Sequence, residues 1–111
     1  MAIEQVLINL IRNAVESVSI REPDSREICL QVSAHDKRCA KIAVSDNGKG
    51  IDPQYLSRIF DPFFTSKPDG LGLGLAIVRS LVEAHGGEIK ARSNAGPGAT
   101  IEFTIPRADR T

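Results

Sequence analysis

Residues 69–87 read DGLGLGLAIVRSLVEAHGG: glycine alternates with leucine at Gly70, Gly72 and Gly74, and the chain then runs straight into an apolar helical pattern. Glycines that open a helix are the sequence form of an anion site, because the first backbone N–H groups of a helix have no partner within it and lie at the positive end of its dipole. Two familiar phosphate loops fit badly. A P-loop ends in Gly-Lys-Ser/Thr, and a dinucleotide fold places its glycines after the first strand of a βαβ unit. Here the glycines are followed by Leu75, Ala76 and Ile77, and the nearest upstream lysine is Lys67. The spacing predicts a helix from the glycines to about Ala84, stopped by Gly86-Gly87.

Working outward, Val6, Leu7, Leu10, Ile11, Ala14, Val15 and Val18 recur at helical spacing and predict an amphipathic helix over 2–18. Met1-Ala2-Ile3-Glu4 offers no convincing N-cap, so the chain is expected to start inside or just before a helix, as a piece of a larger protein would. Residues 20–26 form a loop around Pro23-Asp24-Ser25. Ile28, Leu30, Val32 and Ala34, then Ala40, Ile42 and Val44, alternate with more polar neighbours on either side of His35-Asp36-Lys37-Arg38, which predicts a β-hairpin. Asp52-Pro53 marks a short helix start that fades near Ile59. Two further strands, about 88–93 and 100–105, flank Asn94-Ala95-Gly96-Pro97-Gly98. The order of helix, two strands, helices, two strands predicts an α+β fold: a two-layer sandwich with helices on one face of a mixed, largely antiparallel sheet.

Composition bounds the function. A chain of 111 residues forms one domain, over 1–111, with a single modest core. Its 14 basic and 14 acidic residues cancel, which leaves no electrostatic footprint for nucleic acid or an anionic membrane, so any bound anion must be held locally. Cys29 and Cys39 lie in strand-like segments without CxxC spacing and read as buried thiols in a reducing cytosol rather than as a disulfide or zinc site. No stretch reads as a membrane span or a signal peptide, so a cytoplasmic location is expected, including that of the cytosolic portion of a membrane-bound sensor.

Three further segments carry chemistry. Asn9 and Asn13, four apart, share one face of the first helix; they read either as surface amides or as ligands, since an amide oxygen can bind Mg²⁺ while substrate phosphates fill other positions. Asp46 ends a strand and is followed by Gly48 and Gly50. That is either an ordinary Asp-Asn-Gly turn or an acceptor for a ligand amine, with glycines letting backbone approach a flat base. Phe60, Phe63 and Phe64, three of the four phenylalanines, fall in one loop that also carries Lys67, which predicts a loop pinned to the core at its start and mobile beyond it.

Together NLIRNAVES, DNGKGI, FDPFFTSK, GLGLGLAI and GPGATIEFTIP, in this order and over nearly the whole chain, resemble the N, G1, F, G2 and G3 boxes of the ATP-binding catalytic domain of bacterial sensor histidine kinases. This is the Bergerat-type nucleotide fold, also found in gyrase B, heat-shock chaperone and mismatch-repair ATPases, and the Phe-Phe-Thr-Ser-Lys loop is similar to that of nitrogen- and oxygen-regulation sensors. The resemblance implies ATP and Mg²⁺ as cofactors. It implies that Asp46 takes the adenine amine, that Gly48 and Gly50 close over the base, and that Asn13 ligates Mg²⁺ with Asn9 near the phosphates. It also implies that Gly70, Gly72 and Gly74, with the intervening Leu71 and Leu73, hold the phosphate chain, that Thr100 lies near adenine, and that Lys67 reaches the terminal phosphate.

Asn9 also separates branches of that superfamily. Where the hydrolysing branch has a glutamate, Asn9 is a neutral amide that cannot act as a carboxylate base, so strong intrinsic ATP hydrolysis is not expected. The resemblance implies transfer of phosphate to a histidine on a separate dimerisation domain of the same sensor kinase, and onward to a response regulator. Neither His35, in a predicted turn, nor His85, at a helix end, stands in a phosphoacceptor context. The phosphoacceptor domain and the strand that usually precedes the N box are therefore expected to be missing, and the isolated domain is expected to be monomeric, without nucleic-acid or direct membrane contact. Six residues between Phe64 and Leu71 imply a short lid. An anti-sigma-type serine kinase on the same fold and a non-catalytic interaction module are the alternatives.

Overall fold

The structure, a computed structural model, describes residues 2–62 and 74–106. Helix α1 spans Ala2–Val18, strand β1 Ile28–Ala34, β2 Cys39–Asp46, helix α2 Gly74–Ala84, β3 Ile89–Ser93 and β4 Ala99–Pro106. The four strands form one sheet in the order β1-β2-β4-β3, every pairing antiparallel. The last strand inserts between β2 and β3, so β2 and β4 are central, and their ends meet where Ser45 pairs with Thr100. Both helices lie on one face, giving the two-layer α+β sandwich of the Bergerat fold.

The apolar patterns explain the layers. Val6, Leu10 and Ala14 form an i, i+4 row along α1, Val78 and Val82 do so on α2, and both rows bury against Ile42 and Val44 of β2 and Ile101 and Phe103 of β4. Phe60 and Ile59 complete this core. The opposite sheet face is polar, with Glu102 between Lys41 (3.6 Å) and Arg92 (3.8 Å). These exposed ion pairs contribute little stability compared with the buried side chains, each of which is worth about 1.5–3 kcal/mol.

Element ends follow local chemistry. Beyond α1, Arg26 folds back so that its guanidinium donates to the carbonyls of Arg21 (3.0 Å) and Ser19 (3.2 Å), placing a cation at the negative end of the helix. At the end of α2 the Gly87 amide donates to the Val82 carbonyl and the Gly86 amide to that of Glu83, with Gly86 at φ +81°, which is a Schellman cap. The segment after Asp52 makes a 3-10 helix, Pro53–Tyr55, followed by hydrogen-bonded turns as far as Asp61, rather than a regular helix fading near Ile59; the Asp52 carboxylate accepts from the Gln54 amide as expected of a cap.

Strand β1 departs from expectation. It is one of the two sheet edges, the helices pack chiefly on each other and on β2, and every β1 residue is exposed, Val32 to 69%. Cys29, opposite Ser45 on the face away from the helices, is an exposed free thiol and Cys39 a half-buried one, not the buried thiols expected from their spacing. Phe60 is pinned in the core, whereas Phe63, Phe64, Lys67, Gly70, Leu71, Gly72 and Leu73 lie outside the described residues.

Two predictions follow from this packing. Phe103, 1% exposed between both helices and the sheet, should cost about 3–5 kcal/mol of stability when changed to Ala, read as a lower urea midpoint. In the β1–β2 turn the Asp36 carboxylate accepts from the Arg38 and Cys39 amides (2.7 and 2.8 Å), and these bonds hold its pKa below the ordinary value. A lowered folded pKa contributes stability that is complete above the unfolded value, near pH 4, and is lost as pH falls through the folded one. Thermal unfolding of the parent should therefore lose ground to Asp36→Asn as pH drops below about 4, because the amide oxygen accepts the same bonds without titrating.

Candidate functional site

Asn9, Asn13 and Ser17 follow one another at intervals of four along α1, so about 6 Å of helix separates each from the next. The row flanks the buried stripe of Val6, Leu10 and Ala14, which leaves Asn9 and Asn13 half-buried and Ser17 buried. Neither asparagine amide has a hydrogen-bond partner among the described residues.

At the end of that row α1 meets the end of β2. Asp46 is 9% exposed, and its Oδ1 accepts from the Ser17 hydroxyl at 3.0 Å and from the Gly48 amide at 2.8 Å. Oδ2 has no partner among the described residues. One carboxylate thus does two jobs: Oδ1 builds the turn and ties strand to helix, and Oδ2 remains an acceptor. The turn reading and the ligand reading of DNG are both compatible with this geometry. Asn47 fixes the turn from its other side, accepting from the Glu27 amide (2.9 Å) and donating to the Ser25 carbonyl (2.7 Å).

Gly48 sits hard against α1. A Cβ there would collide with the Ser17 carbonyl and hydroxyl, and the neighbouring Lys49 amide donates to the Ser17 carbonyl at 3.2 Å. The constraint visible in the fold is therefore close approach to a helix, where the sequence suggested approach to a base. Gly98, at φ +91°, makes a second close approach, since a side chain there would strike the Asp46 carbonyl. Gly50 lies beside Gly98, and Gly74 is the first residue of α2.

Thr100 is placed differently from what the resemblance implied. Residues directly opposite in an antiparallel pair share a face, and Thr100 pairs with Ser45, on the side away from the helices. Its hydroxyl is buried in contact with Asn94 Oδ1 (2.6 Å) and Ser45 Oγ (2.9 Å). Asn94 Nδ2 in turn donates to the Asp46 carbonyl at 2.8 Å. Thr100 therefore supports the end of β2 from behind, and the residue at this level on the face of the Asp46 carboxylate is Ala99. Ser17, Ser45, Asn94 and Gly98 were not singled out individually from sequence; Ser17 carried a signal as the third member of the Asn9-Asn13 row, and Gly98 lies within GPGATIEFTIP.

A profile of the family described as histidine kinase-, DNA gyrase B- and HSP90-like ATPase matches residues 1–109. The chain belongs to that family. Its relatives place it in the sensor histidine kinase branch, as a catalytic domain. It is 44% identical over 106 residues to the sensor protein TdiS of Thauera aromatica, and 43% identical over 107 residues to the sensor protein FixL of Bradyrhizobium diazoefficiens. These matches cover 94% and 96% of the chain but only 19% and 21% of those proteins, so the chain spans about one fifth of each relative. Among solved structures it resembles full-length ShkA in complex with AMPPNP, with a TM-score of 0.82 and 35% identity over 98% of this chain and 22% of that one. It also resembles the nucleotide-free catalytic domain of the histidine kinase ThkA, with a TM-score of 0.81 and 32% identity over 97% of this chain and 69% of that one.

The close approach of Gly48 to α1 gives a test within the family domain. Gly48→Ala should lower stability by about 1–3 kcal/mol, because Ser17 belongs to the helix and cannot give way cheaply. Gly96→Ala, with nothing within 4 Å, should stay within about 0.5 kcal/mol of the parent by urea denaturation.

Proposed function

We propose that this domain binds Mg·ATP and presents its γ-phosphoryl group to a histidine on a separate dimerisation domain, for onward transfer to a response regulator. The observation that carries the proposal is the Asp46 carboxylate, buried and tied through Oδ1 but with Oδ2 unengaged among the described residues, at the end of a helical row that continues to Asn13 and Asn9. An acceptor held in that way suits the exocyclic amine of adenine. The residues present also fit the cofactor's other end: an amide oxygen at Asn13 is a suitable Mg²⁺ ligand, Asn9 can donate to phosphate oxygens, and the amides that open α2 suit a phosphate chain. Gly70, Leu71, Gly72, Leu73 and Lys67 belong to this proposal by resemblance.

In this reading the chain's own residues do little covalent work. When bound, the magnesium ion supplies charge neutralisation to the phosphates. The protein's part is positioning and electrostatic complementarity, which is most of what phosphoryl transfer asks of an enzyme. In the transfer, the γ-phosphorus–oxygen bond of ATP breaks, a histidine nitrogen takes the phosphoryl group, and ADP leaves. Asn9 supplies no carboxylate base to activate water, which favours the histidine over hydrolysis. The sensor-kinase relatives favour this over a serine kinase on the same fold.

The experiment is a titration of the chain with a fluorescent ATP analogue, with and without Mg²⁺. Asp46→Asn should weaken binding about 10- to 100-fold, as expected when a charged acceptor for a buried hydrogen bond is lost. Asn13→Ala should keep metal-free binding and lose the enhancement by Mg²⁺. Equal affinity in the parent and Asp46→Asn would contradict the proposal.

A further inference from the structure

We infer that Ser17 is a positioning residue that sets the selectivity of the site for a 6-aminopurine, an inference that rests on the nucleotide reading of Asp46. A carboxylate discriminates between ligands only if it is held still. Rotation about the last torsion of a free aspartate exchanges its two oxygens and sweeps their lone pairs over a wide arc, so the group can follow many ligands. Asp46 is held from two directions. The Gly48 amide reaches Oδ1 from the turn, as in any Asp-X-Gly turn, and the Ser17 hydroxyl reaches the same oxygen from α1, 29 residues earlier in the chain. The second restraint is not local to the turn. It fixes the carboxylate in the frame of the helix that carries Asn13.

The Ser17 backbone reinforces the same joint. Its carbonyl accepts from the Lys49 amide, and its atoms form the wall against which Gly48 closes. With its single proton committed to Oδ1, the Ser17 hydroxyl is not free to donate to a ligand. What the joint presents is therefore a carboxylate oxygen of set direction. That oxygen accepts from a 6-amino group and opposes the lone pairs of a 6-oxo group. Without the Ser17 hydroxyl, Oδ1 keeps only the turn amide, and the carboxylate can rotate away from a ligand that does not suit it. Discrimination, more than affinity for triphosphate in general, should suffer.

The test compares affinities of ATP, inosine triphosphate and purine riboside triphosphate, the last lacking any 6-substituent, for the parent, Ser17→Ala and Ser17→Cys. Circular dichroism and urea midpoints establish that each variant folds. The parent should prefer ATP to both analogues. Ser17→Ala should reduce that preference about five- to tenfold, mainly through weaker ATP binding, while binding of purine riboside triphosphate changes little. Ser17→Cys, of similar shape but a weaker donor, should fall between. A folded Ser17→Ala that keeps the parent's preference would overturn the role of Ser17 and leave the nucleotide reading intact. A parent without preference for ATP over purine riboside triphosphate would overturn the adenine reading itself. An equal loss for all three nucleotides would show that Ser17 merely supports the fold, and would also overturn the inference.

Discussion

One end of this domain depends on a single carboxylate that ties together a strand, a turn and a helix. Asp46 closes β2, accepts from Gly48 within its own turn and accepts from Ser17 on α1. Apolar packing alone would hold α1 over the sheet, but hydrophobic contact is non-directional and leaves the helix free to slide by small amounts. The polar joint at Ser17 and Gly48 removes that freedom at the end where precision matters. Gly48 makes it possible by lacking a side chain, and Lys49 completes it by donating to the Ser17 carbonyl.

Helical geometry then extends a local joint into a long row. Because Asn9, Asn13 and Ser17 fall four residues apart, anchoring Ser17 to Asp46 fixes the other two at about 6 and 12 Å along one rigid line. On the proposed reading, a nucleotide whose base meets Asp46 would lay its phosphates along the asparagines. From the far side of the sheet, Thr100, Ser45 and Asn94 form a second polar cluster whose Asn94 amide holds the Asp46 carbonyl. The carboxylate is thus supported on the helix face through its side chain and on the opposite face through its backbone.

Much of this was legible in the sequence, and the exceptions have physical reasons. The bounds of α1 match the periodic run from Ala2 to Val18, because Val6, Leu10 and Ala14 fall on one stripe only in a helix, and that stripe buries against α2 and the sheet. Strands β1 to β4 follow alternation closely. The face of Thr100 was also encoded: Ile101 and Phe103 alternate into the core, so Thr100 points away from it, whereas Val44 and Asp46 share the core side of β2. Family motifs name a position and leave its face to the strand's parity. The burial of Cys29 was misjudged although its parity was readable: it pairs with Ser45 on the face away from the helices, where no helix can cover it. Asn94 left no trace, since its role arises from residues 48 positions apart brought together by the insertion of β4. The segment after Asp52 shows the same limit: the cap and the approximate extent were readable, the irregular turns that fill it were not.

The most direct test of the central claim is a two-dimensional amide NMR titration of the chain with Mg·ATP. If Asp46 and the α1 row form the nucleotide site, saturable shifts should concentrate at Gly48, Lys49, Ser17, Asn13 and Asn94, leaving Lys41, Lys90 and Glu102 on the outer sheet face unmoved. Saturable shifts confined to that outer face, with the Asp46 turn undisturbed, would contradict it.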